Sequence, residues 1–235
     1  MTGFNWDGFL SYIPNLYLLG GVWTTIWLTV FAVIGGLVVG LLVALGRLSG
    51  VHSLQVAARS YVWLFRGTPL LIQLVIIYTG LPQLGIRLSV LQSALLGLVL
   101  NEAAYMSEIL RSGFLAVPRG QLEAAQSLGL SRVQAFWTVT APQALRIVIP
   151  PLGNTVNSLL KATSITSVIS VEELMRRSQM LIQVQFEVLE IFCVAAIYYL
   201  VLTSLWDVVQ RRLERRLSRG YAQTRPVAPG KADHH

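Results

Sequence analysis

The most telling residues are the charges and amides that fall inside runs of apolar sequence. Glu102 stands among Leu, Val and Ala, nine residues before the next basic group, Arg111. At helical rise that separation is about 13–14 Å, a depth at which a charge costs roughly 2.5–3.5 kcal/mol on insertion scales. Glu108 is placed differently, because Arg111 follows one turn later and can pair with it. Asn154, Asn157, Ser158 and Lys161 recur at helical spacing as one polar stripe. Two readings of that stripe stay open: a hydrogen-bonded contact between subunits, or the wall of a solute pathway. Arg66-Gly67-Thr68-Pro69 interrupts another apolar run, and Gln73 lies one turn beyond Pro69. Gly67 and Pro69 weaken a helix there and free backbone carbonyls, which is tolerable only beside protein or water. The chemistry open to this set is recognition. Glu102 and Glu108 opposing Arg66 and Lys161 suit a ligand with both charge signs, such as an amino acid zwitterion. A membrane-embedded enzyme is disfavoured, since His52 is the only histidine outside the C-terminal pair and no nucleophile–base or metal constellation accompanies it.

Composition explains why these groups are exceptional. Hydrophobic residues form 54% of the 235-residue chain and charged residues 12%, against about 25% charge in a soluble domain. Mean hydropathy is +0.61. The chain is therefore an integral membrane protein. Its net charge of +7 resides in interhelical segments and the tail, so it reports orientation in the bilayer, and no nucleic-acid partner is expected. Cys193 is the only cysteine; it sits in an apolar run as a packing residue, and no internal disulfide or metal framework is available. The first basic residue is Arg47, so no cleavable signal peptide is expected. Residues 1–18 carry Phe4, Trp6, Phe9, Tyr12 and Tyr17 and read as an interfacial segment on the outer face. The Pro- and Ala-rich tail over 218–235 is expected to be disordered.

Five segments are apolar enough over about 20 residues to cross a bilayer: 19–45, 60–81, 89–110, 150–170 and 188–208. The first is free of charge, and Gly35, Gly36 and Gly40 within it allow close helix packing. Arg47 and Arg59, then Arg111, Arg119, Arg132 and Arg146, then Arg211, Arg212, Arg215, Arg216 and Arg219 all fall on one side if there are five spans. Positive charge marks that side as cytoplasmic. The fold class expected is an all-α integral membrane protein with five transmembrane helices, the N-terminus outside and the C-terminus cytoplasmic. Glu172 and Glu173 in the outer connection read as solvated charges. No internal repeat of the kind seen in secondary transporters stands out.

The longest cytoplasmic connection, 118–151, is too polar to span. Pro118 and Arg119 open a helix, Gly129 ends it with a left-handed residue, and Ser131 caps a second helix bearing Val133, Phe136 and Trp137. Pro142 is expected to break or kink that second helix. The product is a compact helix–turn–helix bordered by arginines and shaped to be gripped by a partner.

These residues also carry a family signature. EAAQSLG at 123–129, followed by Ala141-Pro142-Gln143-Ala144 and Pro150, resembles the cytoplasmic EAA loop of ABC-importer permeases. RGTPLLIQL from Arg66, AAYMSEILRSG from Ala103, VPRGQLEAA from Val117 and LLKATSITSVISVEEL from Leu159 are similar to the polar amino acid permease group of the type I importers. The motifs occur in family order and cover about 19–217, which becomes the transmembrane domain.

The resemblance implies a permease dimer, identical or mixed, in a bacterial cytoplasmic membrane. Each subunit would dock one cytoplasmic ABC ATPase through Glu123, Ala124, Ala125 and Gly129. A solute-binding protein would deliver the amino acid to the outer face, and closure of the ATPases would drive alternating access. ATP and Mg would be bound by the partner, with no cofactor on this chain. In agreement, the sequence lacks a GxxxxGK[ST] phosphate loop. Family members often carry a small polar residue where Glu102 stands, a departure that favours a cationic cargo. The competing reading is an ion-coupled secondary transporter with Glu102 as the coupling site.

Overall fold

The computed structural model describes residues 3–218, and those residues form helices and turns with no strand. Helix α1 (Trp6–Tyr12) is short and capped by Asn5, whose side chain accepts from the Gly8 amide. It lies against the start of the last helix, where the Asn5 amide nitrogen donates to Glu190 at 2.8 Å. Helix α2 (Leu16–Leu48) contains the charge-free run and carries Arg47 in its last turn. Asn15 caps it by accepting from the amides of Tyr17 and Leu18.

The segment expected to cross as one helix over 60–81 is broken. Helix α3 (His52–Gly67) stops at the Gly-Thr-Pro step, and α4 (Leu70–Val75) leaves it at 107°, running on through a π-turn, Ile76–Gly80, and a 3-10 turn, Leu81–Leu84. Pro69 lacks the amide hydrogen that would continue the ladder and holds Thr68 extended, at φ −116° and ψ 143°. Weakness at this step was legible; a turn beyond a right angle was not.

Helix α5 (Val90–Ala116) starts from a capping box of Ser89 and Gln92. It packs along α2 through glycine. A Cβ at Gly36 would sit 3.1 Å from Glu102 Cβ and 3.2 Å from Met106 Sδ, and one at Gly40 would sit 3.0 Å from the Ala103 carbonyl oxygen. Between apolar helices in lipid such close packing supplies the attraction, because burial from water does not.

Helices α6 (Arg119–Ser127) and α7 (Arg132–Ala135) form the polar connection between α5 and the next long helix. Pro142 does not break the helical path beyond α7. A π-turn over Phe136–Thr140 passes directly into α8 (Ala141–Ala162), with the Ala141 amide bonded to the Phe136 carbonyl. The wider i→i+5 ring gives the proline room without ending the helix. Pro150 and Pro151 also sit inside α8. That helix therefore begins nine residues before the span expected at 150, and it ends in a 3-10 turn, Thr163–Ile169. Helix α9 (Leu174–Gln185) and α10 (Val188–Ser218) complete the fold. By length and composition α2 and α10 are the two described helices apolar enough to cross a membrane, with the bent α3–α4 pair as a third.

Two buried clusters hold the helices together. One joins Leu28 and Ala32 of α2, Leu74 of α4, Leu98 of α5 and Leu159 of α8. The other joins Tyr12 and Leu18 to Leu174, Ile191 and Val194. Glu173 is also fully buried, which corrects its reading as a solvated charge. Its carboxylate caps α9 by accepting from the amides of Met175 and Arg176 and from the Tyr199 hydroxyl. Three donors replace the water it loses. Glu172 is the exposed one of the pair. Apart from Ser218 at the end of α10, the tail assigned to 218–235, with His234 and His235, lies outside the described residues.

Candidate functional site

The elbow between α6 and α7 is built from short-range rules. Gly129 takes φ +85°, a left-handed conformation that costs other residues about 1–2 kcal/mol. Its amide bonds to the Gln126 carbonyl at 2.9 Å, and the Leu130 amide bonds to the Ala125 carbonyl at 3.2 Å. This pair of bonds is a Schellman motif, which satisfies the carbonyls at the end of α6. Two residues later Ser131 and Gln134 form a reciprocal capping box. The chain thus reverses between two capped helix ends, with little slack. Ala125 and Ala135 are buried inside the elbow, and Phe136 rests against Phe114 with ring centroids 5.9 Å apart. Glu123 and Ala124 face outward. Leu128 is 83% exposed, and Val133 and Trp137 are each 68% exposed. Among the described residues Glu123 has no ion-pair partner.

Around the break between α3 and α4, Gln73 and Arg66 part company. The Gln73 amide nitrogen donates to the Phe65 carbonyl at 2.8 Å and to the Thr68 carbonyl at 3.0 Å. Asn101 of α5 donates to Gln73 Oε1 at 3.0 Å. Gln73 is therefore committed to the carbonyls that the break releases. Arg66 is exposed, with its guanidinium 5.3 Å from the centre of the Tyr105 ring. Glu102, one position after Asn101, faces α2 instead. It is 6% exposed, and its Oε2 atom has no hydrogen-bond partner. Glu108 pairs with Arg111 at 2.9 Å, as its spacing predicts, and with Arg47 at the end of α2.

The polar stripe of α8 divides. Asn157 donates to Asp207 of α10 at 2.8 Å, and Asn154 accepts from Gln210 at 3.3 Å. Trp206 adds a bond to the Gly153 carbonyl at 2.8 Å. Much of the stripe is thus a hydrogen-bonded contact within the chain, an arrangement neither reading of the sequence contained. Ser158 and Lys161 are exposed, and Lys161 opens on a cavity of about 550 Å³ between α8, α9 and α10. The seven pathway residues do not converge on one cavity. Asn101, Asp207, Gln210 and Arg47 were missed; Asp207 carried a signal, as a charge within the expected fifth span. No cluster of three His, Cys, Asp or Glu side chains suited to a metal occurs among the described residues.

Comparison with known proteins adds to this geometry. Residues 36–219 match the family model of the binding-protein-dependent transport system inner membrane component. The chain is 40% identical to the arginine transport system permease protein ArgU of Corynebacterium glutamicum, over 94% of this chain and 74% of that one. It is 41% identical to the L-cystine transport system permease protein TcyB of Bacillus subtilis, with 88% of each chain covered. It is 37% identical to the glutamine transport system permease protein GlnP of Escherichia coli, over 91% and 98%. A crystal structure of an amino acid ABC transporter with histidines superposes with a TM-score of 0.84 at 36% identity, covering 92% of this chain and all of that one. The inward-facing MetNI methionine ABC transporter shares the fold, with a TM-score of 0.72 at 22% identity over 87% and 98%. The chain belongs to the family of inner membrane components of binding-protein-dependent transport systems, and it is a permease subunit with the type I ABC importer fold.

Proposed function

We propose that this chain translocates a polar amino acid in an ATP-driven importer, and that α6 and its elbow are where a separate cytoplasmic ATPase takes hold. The observation that carries the proposal is the doubly capped turn at Gly129, with Leu128, Val133 and Trp137 exposed beside Glu123 and Ala124. Exposed apolar side chains on a polar, rigid connection favour a protein partner. A stiff turn passes a displacement of the partner on to α5 and α8, which flank it in the chain.

Five crossings then serve the function: α2, the bent α3–α4 pair, α5, α8 and α10, with the N-terminus outside. Arg47, Arg111, Arg119, Arg132, Arg211 and Arg212 fall on the elbow's side, and this supports a cytoplasmic elbow. A second permease copy or paralogue completes the translocation path, and a solute-binding protein loads it from outside. ATP and Mg reside on the ATPase. The named cargoes of the relatives, arginine, cystine and glutamine, support an amino acid. The buried carboxylate of Glu102 supports a basic one.

Reconstitution with the cognate ATPase and binding protein tests the proposal. Uptake of labelled amino acid is expected to require ATP and to survive ionophores. Uptake that continues without ATP and collapses with the ion gradient would overturn it.

A further inference from the structure

Four arginines from three helices gather at one end of the bundle. Arg47 occupies the last turn of α2, Arg111 lies near the end of α5, and Arg59 and Arg66 share a face of α3. Helix α3 lies against both of the others. A Cβ at Gly46 would meet the Ala58 Cβ at 3.6 Å, and the Tyr61 hydroxyl donates to the Leu100 carbonyl at 2.6 Å. Arg59, Arg66 and Arg111 all stand close enough to repel the charge of Arg47. Among the described residues one carboxylate pairs with this group, that of Glu108, and it takes Arg47 and Arg111. Arg66 sits instead over the Tyr105 ring, one turn before Glu108, and Arg59 donates to the neutral side chain of Gln55 at 3.3 Å. Positive charge is thus crowded beyond what the fold neutralises. Between Arg59 and Arg66, one turn from each, Trp63 is 77% exposed.

We infer that this cluster binds the head group of an anionic membrane phospholipid, with Arg59 and Arg66 on the phosphate oxygens and Trp63 at the boundary between head group and acyl chains. The guanidinium fork matches a phosphate in geometry as well as charge. Arginines clustered beside the end of a span and on an amphipathic helix attract anionic lipid, and an indole prefers the interfacial layer. Val56 and Leu64 are exposed next to Trp63 on α3. This apolar strip beside the basic face suits a ligand that carries both a phosphate and a hydrocarbon tail, and a free anion leaves it uncovered. The lipid supplies the negative charge that Glu108 alone does not. The inference needs only the chain's place in a membrane and goes beyond the importer reading, since neither cargo nor ATPase enters it.

The test is native mass spectrometry of the permease–ATPase complex in detergent, titrated with phosphatidylglycerol or with phosphatidylcholine. Wild type is expected to hold phosphatidylglycerol more tightly. The double variant Arg59→Gln/Arg66→Gln should weaken that lipid by about tenfold or more, each arginine near an anionic lipid surface being worth about fivefold. Binding of phosphatidylcholine should stay as it is. Glu108→Gln releases Arg47 and Arg111 and should strengthen phosphatidylglycerol binding several-fold, a gain that a merely damaged fold does not produce. The inference is overturned by a wild type without preference between the two lipids, by unchanged phosphatidylglycerol affinity in the double variant, or by no gain in Glu108→Gln. Displacement of phosphatidylglycerol by excess inorganic phosphate would make the site one for free anions and overturn the lipid assignment. Dissociation of the complex in the double variant with lipid affinity unchanged would give this face to a protein partner instead.

Discussion

Asn101 and Gln73 meet across the α4–α5 contact, the first donating to Oε1 of the second at 3.0 Å. The bond aims the Gln73 amino group at the Phe65 and Thr68 carbonyls, which the Gly-Thr-Pro break leaves without helical partners. A buried carbonyl left bare costs about 1–3 kcal/mol. Gln73→Leu is therefore expected to lower stability by about 2–4 kcal/mol. Asn101→Leu should cost less, because Gln73 keeps its own bonds. The double variant should fall short of the sum, since both act on one network. Thermal unfolding followed by dye reaction at Cys193, the single cysteine, measures all three; additive losses would argue against the network.

Glu108 holds two arginines, Arg111 within its own helix and Arg47 from α2. The side chains are 17–28% exposed, so the cost of disruption lies below the roughly 3–5 kcal/mol of fully buried pairs. Glu108→Gln strands both cations and should destabilise by about 1–3 kcal/mol. Arg111→Gln leaves the Arg47 pair intact and should cost under about 1 kcal/mol. The same unfolding assay separates them, and equal losses would show that Arg47 contributes nothing.

The features legible in the sequence were local or periodic. Gly129 and Ser131 mark the elbow because a left-handed residue and a cap can be read from residue type alone, and the charge-free run of α2 needs no partner to be recognised. The features that escaped reading depended on a second element. Glu108 shows its i+3 partner in sequence, whereas Arg47 arrives from another helix. Asn157 reads as polar, but Asp207, fifty positions on, decides that its bond stays within the chain. Pro142 signals a break on propensity, and the π-turn that absorbs it has no residue signature. Glu173 looks like a surface charge until the α9 amides and Tyr199 enclose it.

Gly129 separates backbone strain from steric contact. A Cβ there would have nothing within 4 Å, yet φ is +85°. Gly129→Val should therefore fold and insert, while the elbow loses its turn at a local cost of about 1–2 kcal/mol. Transport per ATP hydrolysed is expected to fall several-fold. Gly129→Asn, which tolerates the left-handed region, should keep most of it. Glu123→Lys should leave the unfolding temperature unchanged, since Glu123 has no ion-pair partner among the described residues, and should uncouple equally. Normal coupling in both Gly129→Val and Glu123→Lys would remove the elbow from the mechanism.

Glu102 tests whether a costly group is kept for the cargo. Its Oε2 is buried without a hydrogen-bond partner, and its Cβ lies where Gly36 lets α2 approach. Replacing an unsatisfied buried group with an apolar one of similar size stabilises by about 1–3 kcal/mol. Glu102→Met should accordingly raise the unfolding temperature. Glu102→Gln keeps the size and removes only the charge. It should lower uptake of lysine and arginine relative to glutamine by roughly tenfold, the worth of one charge-assisted contact. An unchanged ratio of basic to neutral uptake would leave Glu102 without a part in selection. A fall in stability in Glu102→Met would show instead that the carboxyl has a structural partner.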